Sequence, residues 1–482
     1  MSTAPHATPR PPIALPVRLP DGARLELGTA TASYQVEGAT HEDGRGPSIW
    51  DTFTAREGTI RDGSDGAVAC DSYHRFTEDA DLVAGLGLDW YRFSVAWPRI
   101  VPEGRGRVEQ RGLDYYDRLV DALLERGVKP TGTLYHWDLP QPLEDEGGWL
   151  ERSTAEAFAD YAEVVAARLG DRVGMWATHN EPWCAAYLGY AAGVHAPGRR
   201  EGGRAHRAAF HLMLGHALAA ERLRAQASAA GRGIDVGIVL NNAPIWAEHP
   251  GSPEVQGVAD GVDAIRNRVW LGPLVDGAYD EGMLRVAPEL ADAELVREGD
   301  LARIQGSADW VGLNYYTPVR PGVPGTDAAA RGDHPEGGAY PGVAPFELVV
   351  RQPITDIGWE IDATGLDELI RTTAERTGLP VLVMENGAAC ADTEVVDGTV
   401  QDTDRIDYLR DHLAAAERAR AAGADLRAYV VWTLLDNFEW AEGYTKTFGI
   451  VHIDPATQAR TPKASYHWLA EAVRERTTPP AS

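Results

Sequence analysis

The chain has 482 residues, 44% of them hydrophobic and 24% charged, with a formal net charge of −27 and a pI near 4.9. A chain of this composition buries a large core. A field of that sign repels phosphate backbones and anionic lipid, which argues against nucleic-acid and membrane-surface roles.

Residues 1–20 are rich in Pro and Ala and contain no apolar core of the length a secretory signal needs, about 7–15 residues. A disordered extension over 1–18 and a catalytic region over 19–475 are therefore expected, in a cytoplasmic protein. No stretch approaches the roughly 18 consecutive apolar residues of a membrane span. Cys70, Cys184 and Cys390 are the three cysteines and form neither a CxxC pair nor a metal-like spacing, which fits a reducing compartment. Lys129, Lys446 and Lys463 are the only lysines, so nearly all cationic charge is arginine, read here as coding bias.

In chain order, short apolar or β-branched runs at 25–32, 89–95, 129–135, 174–178, 235–240, 309–314, 380–384 and 428–433 read as strands. Several are almost wholly apolar, the pattern of strands buried on both faces of a parallel sheet. Helical periodicity fills the intervals at 111–126, 154–169, 206–229 and 403–422. In the first of these, Leu113, Tyr116, Val120, Leu123 and Leu124 recur at spacings of three and four.

Eight strands alternating with helices predict an α/β fold, a single (β/α)8 TIM barrel, ordinarily of about 250 residues. The excess length implies long insertions in the loops that follow the strands. Gly-, Pro- and Asp-rich stretches at 99–107 and 320–346 are the expected insertions, candidates for an active-site rim. No linker, repeat or composition break marks a second domain.

Catalytic residues of such a barrel sit where strands end at the C-terminal rim. Two acids stand there: Glu181 after the fourth strand and Glu385 after the seventh, nearly opposite across the mouth. A lone strand-end Glu can equally be a salt-bridged rim residue. Two facing carboxylates can cleave a glycosidic bond, one protonating the leaving oxygen while the other attacks the sugar or activates water. The 14 Trp and 17 Tyr against 8 Phe suit stacking on sugar rings, although most serve ordinary packing.

The segments Thr178–Pro182 (THNEP) and Met384–Gly387 (MENG) resemble the two signature motifs of glycoside hydrolase family 1. Ser33–Gly38, Tyr91–Ser94, His136–Pro140, Asn314–Tyr316 and Trp432–Trp440 extend the resemblance, which spans roughly residues 25–470.

The resemblance implies a retaining β-glucosidase with no cofactor, with Glu181 as acid/base and Glu385 as nucleophile. Retention needs the carboxyl groups about 5–5.5 Å apart. It further implies Arg92 beside the nucleophile, holding it ionised, Tyr316 hydrogen-bonded to it, and Asn180 at the sugar 2-OH. Gln35, His136, Asn314, Glu439 and Trp440 complete the implied sugar-binding set, with Trp432 as stacking floor. His136 can also be a core histidine or a metal ligand. No convincing partner spacing supports a metal, and none is expected. Trp432 can also be simple core, and His179 reads as structural.

Phosphorylated-sugar members of the family typically carry Ser where Glu439 stands, so an unphosphorylated glycone is expected. The substrates expected are small β-glycosides or cello-oligosaccharides, with β-galactosidase or β-fucosidase side activity. Trp183, Tyr444 and Phe448 are expected at the aglycone entrance. Met384 and Thr447 depart from the Thr and Arg common in the family. The first is expected to alter packing behind Glu385.

Overall fold

The computed structural model describes residues 24–322 and 338–477. The expected N-terminal extension over 1–18 and most of the insertion at 320–346 lie outside the described residues. Eight parallel strands close a barrel: β1 Glu26–Ala30, β2 Trp90–Ser94, β3 Lys129–Tyr135, β4 Met175–Asn180, β5 Asp235–Leu240, β6 Trp310–Asn314, β7 Val381–Asn386 and β8 Leu426–Trp432. Closure is made by β1 against β8, with Glu26 opposite Ala428 and Ala30 opposite Trp432. A helix follows each strand: α1 Ser72–Leu86, α2 Gln110–Glu125, α3 Arg152–Leu169, α4 Ala205–Ala229, α5 Asp300–Ile304, α6 Ala363–Thr377, α7 Thr403–Ala421 and α8 Ala464–Thr477. The expected (β/α)8 barrel is thus the observed one. Among the described residues no helix is long and apolar enough to cross a membrane.

Two apolar layers hold it. The outer one packs strand residues such as Tyr91, Phe93, Val381 and Val383 against the helices. The inner one fills the barrel with Ala30, Trp90, Ala177, Val239, Trp310, Leu382, Met384, Val430 and Trp432. Burial on both faces explains why Val381–Asn386 is buried at every position and reads as a continuous run. Met384 belongs to this inner layer. A Cβ on Gly312 would come 2.8 Å from its Cγ and 2.7 Å from Val239, so the methionine relies on a glycine across from it.

Simple alternation would not deliver the rim residues. On β4, Ala177 lies inside, and Thr178 and His179 both face outward, the first toward His216 and the second against Phe158. The register against β5 shifts between Ala177 and Asn180, and Asn180 returns inward. On β7 the register against β6 shifts at Asn314 and Glu385, so that Met384 and Glu385 both face the interior. Such irregularities re-aim side chains at barrel rims.

The stretch at 99–107 differs from expectation. Arg99 is fully buried in a short helix, Trp97–Ile100, and its Nε donates to Glu37 at 3.0 Å. It ties the shell together rather than opening the rim.

Candidate active site

Arg92, on β2, organises the rim from beneath. Its Nη1 donates to Glu385 Oε1 at 2.7 Å and to the Met384 carbonyl at 3.1 Å, its Nε to Thr133 Oγ1 at 3.0 Å, and its Nη2 to Asn180 Oδ1 at 2.6 Å. Tyr316 donates to the other oxygen of Glu385 at 2.6 Å. Both Arg92 and Glu385 are buried.

A guanidinium can only donate, so the Asn180 atom facing it is the amide oxygen. That fixes two further groups. Asn314 must turn its Nδ2 to Asn180 Oδ1, at 3.0 Å, and the same Nδ2 donates to Glu181 Oε1 at 2.6 Å. Asn180 Nδ2 must face His136 Nε2, at 3.0 Å. His136 therefore accepts at Nε2 and, as a neutral ring, carries its proton on Nδ1. Burial and the nearby Arg92 push its pKa well below the ordinary value, keeping it neutral. Four hydrogen bonds, from Glu385 through Arg92, Asn180 and Asn314 to Glu181, thus join the two acids.

Glu181 opens the segment after β4 with a positive φ of 46° and donates its backbone N–H to the Val239 carbonyl at 2.8 Å. Trp137 and Trp440 are also left-handed, at 76° and 49°. Such backbone costs energy and clusters at functional sites. After the seventh strand, a Cβ at Gly387 would sit 1.8 Å from the Trp432 carbonyl oxygen, so only glycine lets the two rim segments meet there.

A cleft of about 750 Å³ opens over these groups, lined among others by His136, Glu181, Trp183, Asn314, Tyr316, Glu385, Trp432, Glu439, Trp440 and Phe448. Its size suits a small ligand. Phe448 packs edge-on to Tyr316, and Trp183 lies under the guanidinium of Arg266 at 3.9 Å. Gln35 is fully buried and absent from the cleft wall, which it meets through Glu439: its Nε2 donates to the Phe438 carbonyl at 2.8 Å, to Asn437 at 3.1 Å and to Glu439 at 3.5 Å.

Tyr444 is a correction. It is 41% exposed, donates to the Asp65 carbonyl at 2.9 Å, packs on Phe438, and is absent from the cleft wall. The acidic loop at 62–65 draws its hydroxyl outward. Thr447 supplies no charge but pins its segment to the Cys390 carbonyl at 2.8 Å.

Burial raises the pKa of both acids. For Glu385 the rise is to about 7, opposed chiefly by Arg92 and reinforced by Glu181. Glu181 receives its hydrogen bonds from neutral donors, Asn314 and Cys184, with Arg266 and Arg92 as more distant cations. A contacting cation favours the ionised form more than neutral donors do, so of this pair Glu181 holds the proton and Glu385 the charge. Glu439 is raised to about 8 by burial and by the charges of Glu385 and Glu181.

Sequence reasoning passed over Cys184, Asn241, Trp137 and Trp359. Trp137 Nε1 donates to the Asn180 carbonyl at 2.9 Å, and Trp359 packs on Tyr316 and Phe448. Trp137 lay inside a motif already singled out. The others carry no local signal.

The residues 22–478 match the family described as Glycosyl hydrolase family 1. A thermostable beta-glucosidase B from Thermobispora bispora is 46% identical over 459 residues, covering 94% of this chain and 90% of the relative. A bifunctional beta-D-glucosidase/beta-D-fucosidase from Bifidobacterium breve is 43% identical over 466 residues, covering 93% and 97%. The crystal structure of a psychrophilic beta-glucosidase from Micrococcus antarcticus superposes with a TM-score of 0.89 at 43% identity, covering 94% and 97%. The barrel, the paired acids on it and these full-length similarities agree: the chain belongs to glycosyl hydrolase family 1.

Proposed function

We propose that the chain removes terminal β-D-glucosyl residues from the non-reducing end of small β-glycosides and cello-oligosaccharides, with retention of configuration. Glu385 attacks the anomeric carbon while Glu181 gives its proton to the departing glycosidic oxygen. The glycosyl ester on Glu385 is then cleaved by water, whose proton returns to Glu181. The observation that carries this reading is the unequal hydrogen bonding of the two acids: a guanidinium and a phenol on Glu385, an amide and a thiol on Glu181.

His136 presents a Nδ1–H without a protein partner among the described residues, a donor for a sugar hydroxyl. Trp432 offers an apolar face to the ring, and Glu439 a carboxyl that is largely protonated at neutral pH. That protonation modifies the sequence argument about phosphorylated sugars. Charge repulsion of a 6-phosphate by Glu439 is weakened accordingly, and an unphosphorylated glycone remains the preferred substrate because Glu439 stands where phosphorylated-sugar members carry Ser. The two activities in the name of the Bifidobacterium breve relative support β-fucosidase side activity here.

Replacing Glu385 with Gly is expected to lower turnover of an aryl β-glucoside by at least about 10⁴-fold, because no nucleophile remains. Azide should then restore product formation as an α-glucosyl azide, since the small anion enters the space of the lost side chain. Turnover in the unrescued variant near that of the parent would remove Glu385 from the mechanism.

A further inference from the structure

Cys184 begins the helical segment Cys184–Ala192 that follows Glu181. It is buried and lines the cleft. Its Sγ donates to Glu181 Oε2 at 3.0 Å and accepts from Asn241 Nδ2 at 3.2 Å. The thiol is thus held between an obligate donor and the carboxylate.

Where the acid proton can sit follows from the orientation already fixed by Arg92. Asn314 faces Glu181 Oε1 with its Nδ2, which can only donate, so a proton on Oε1 would meet another hydrogen. The transferable proton therefore belongs on Oε2, next to the thiol. An ammonium there would favour only the ionised acid. A thiol is a weak donor and a weak acceptor, so one side chain serves both protonation states.

We propose that Cys184 is a positioning residue for the acid/base, its thiol holding Glu181 Oε2 by donating to the carboxylate and by accepting from the carboxylic acid. This rests on Glu181 being the acid/base. Among the described residues, the other charged or titratable groups facing Glu181 are Arg266, Arg92, Glu385, Glu439 and Tyr316. None of these is altered by changing Cys184.

The test compares C184A with C184S by pH profiles of kcat/KM. One substrate is an alkyl β-glucoside, which needs protonation to leave, and the other 2,4-dinitrophenyl β-glucoside, which does not. In C184A the ionised acid loses a donor, so the alkaline limb for the alkyl glucoside should move up by about 0.5 pH unit. Its kcat/KM at the optimum should fall about 3- to 10-fold, with the dinitrophenyl glucoside changed less than about twofold. In C184S a stronger donor should move the same limb down. A merely structural cysteine would not shift the limb in opposite directions in two folded variants. Limbs that coincide with the parent, or equal losses on both substrates, would overturn the proposal. C184S alone decides it if C184A does not fold. Equal losses on both substrates in E181Q would instead indict the underlying assignment of Glu181.

Discussion

Glu385 and Glu181 are the same side chain at the rims of two strands three places apart in one barrel, yet the protein surrounds them differently. Around Glu385 the fixed partners are a buried guanidinium and a phenol; around Glu181 they are an amide, a thiol and a backbone strained to a positive φ. Burial alone would protonate both. One contacting cation breaks the symmetry, and the same cation orients the network running to the other acid. On the proposed mechanism, acid and nucleophile are distinguished less by their own positions than by Arg92 lying under one of them.

The sharpest way to break that contrast is to neutralise the acid. In E181Q, hydrolysis of alkyl β-glucosides should fall about 10²- to 10⁴-fold. The first step with 2,4-dinitrophenyl β-glucoside should be spared, so the glycosyl-enzyme builds up and appears as a burst of phenolate. Equal losses on both substrates would show that Glu181 does not protonate the leaving group.

Removing the cation should have a smaller effect. In R92M the cation that opposes burial at Glu385 is lost, so its pKa rises and the acid limb of kcat/KM moves to higher pH by about 1 unit or more. At neutral pH turnover should drop about 10²- to 10³-fold. An acid limb that stays in place while activity falls would mean that Arg92 serves geometry alone.

The barrel was legible because its strands are buried on both faces. The runs predicted at 129–135 and 235–240 coincide with Lys129–Tyr135 and Asp235–Leu240. The two acids were legible because each polar motif ends an apolar run. What periodicity could not show were the register shifts on β4 and β7, since a shift changes the facing of a residue without changing its composition. Cys184 and Asn241 are 57 positions apart and meet only through the packing of the segments after β4 and β5. Tyr444 was misplaced for a related reason: an aromatic in a Gly-rich loop reads the same whether it faces the cleft or, as here, Asp62 and Asp65.

The smallest expected effect concerns a third acid that sharpens the comparison. Among the described residues no cation contacts Glu439, and its pKa is raised to about 8 from 4.5. The folded protein therefore keeps a proton here that the unfolded chain gives up above about pH 4.5, and its stability must fall as pH rises between those values. Replacing Glu439 with Gln removes that proton linkage. The melting temperatures of parent and E439Q should lie close together near pH 5 and diverge toward pH 8, with E439Q the higher by a few degrees. KM for an aryl β-glucoside should differ least on the acid side, where the parent presents a neutral carboxyl that an amide resembles. A gap in melting temperature that is constant with pH would show that Glu439 is ionised throughout, and that burial beside two other acids is not enough to keep it neutral.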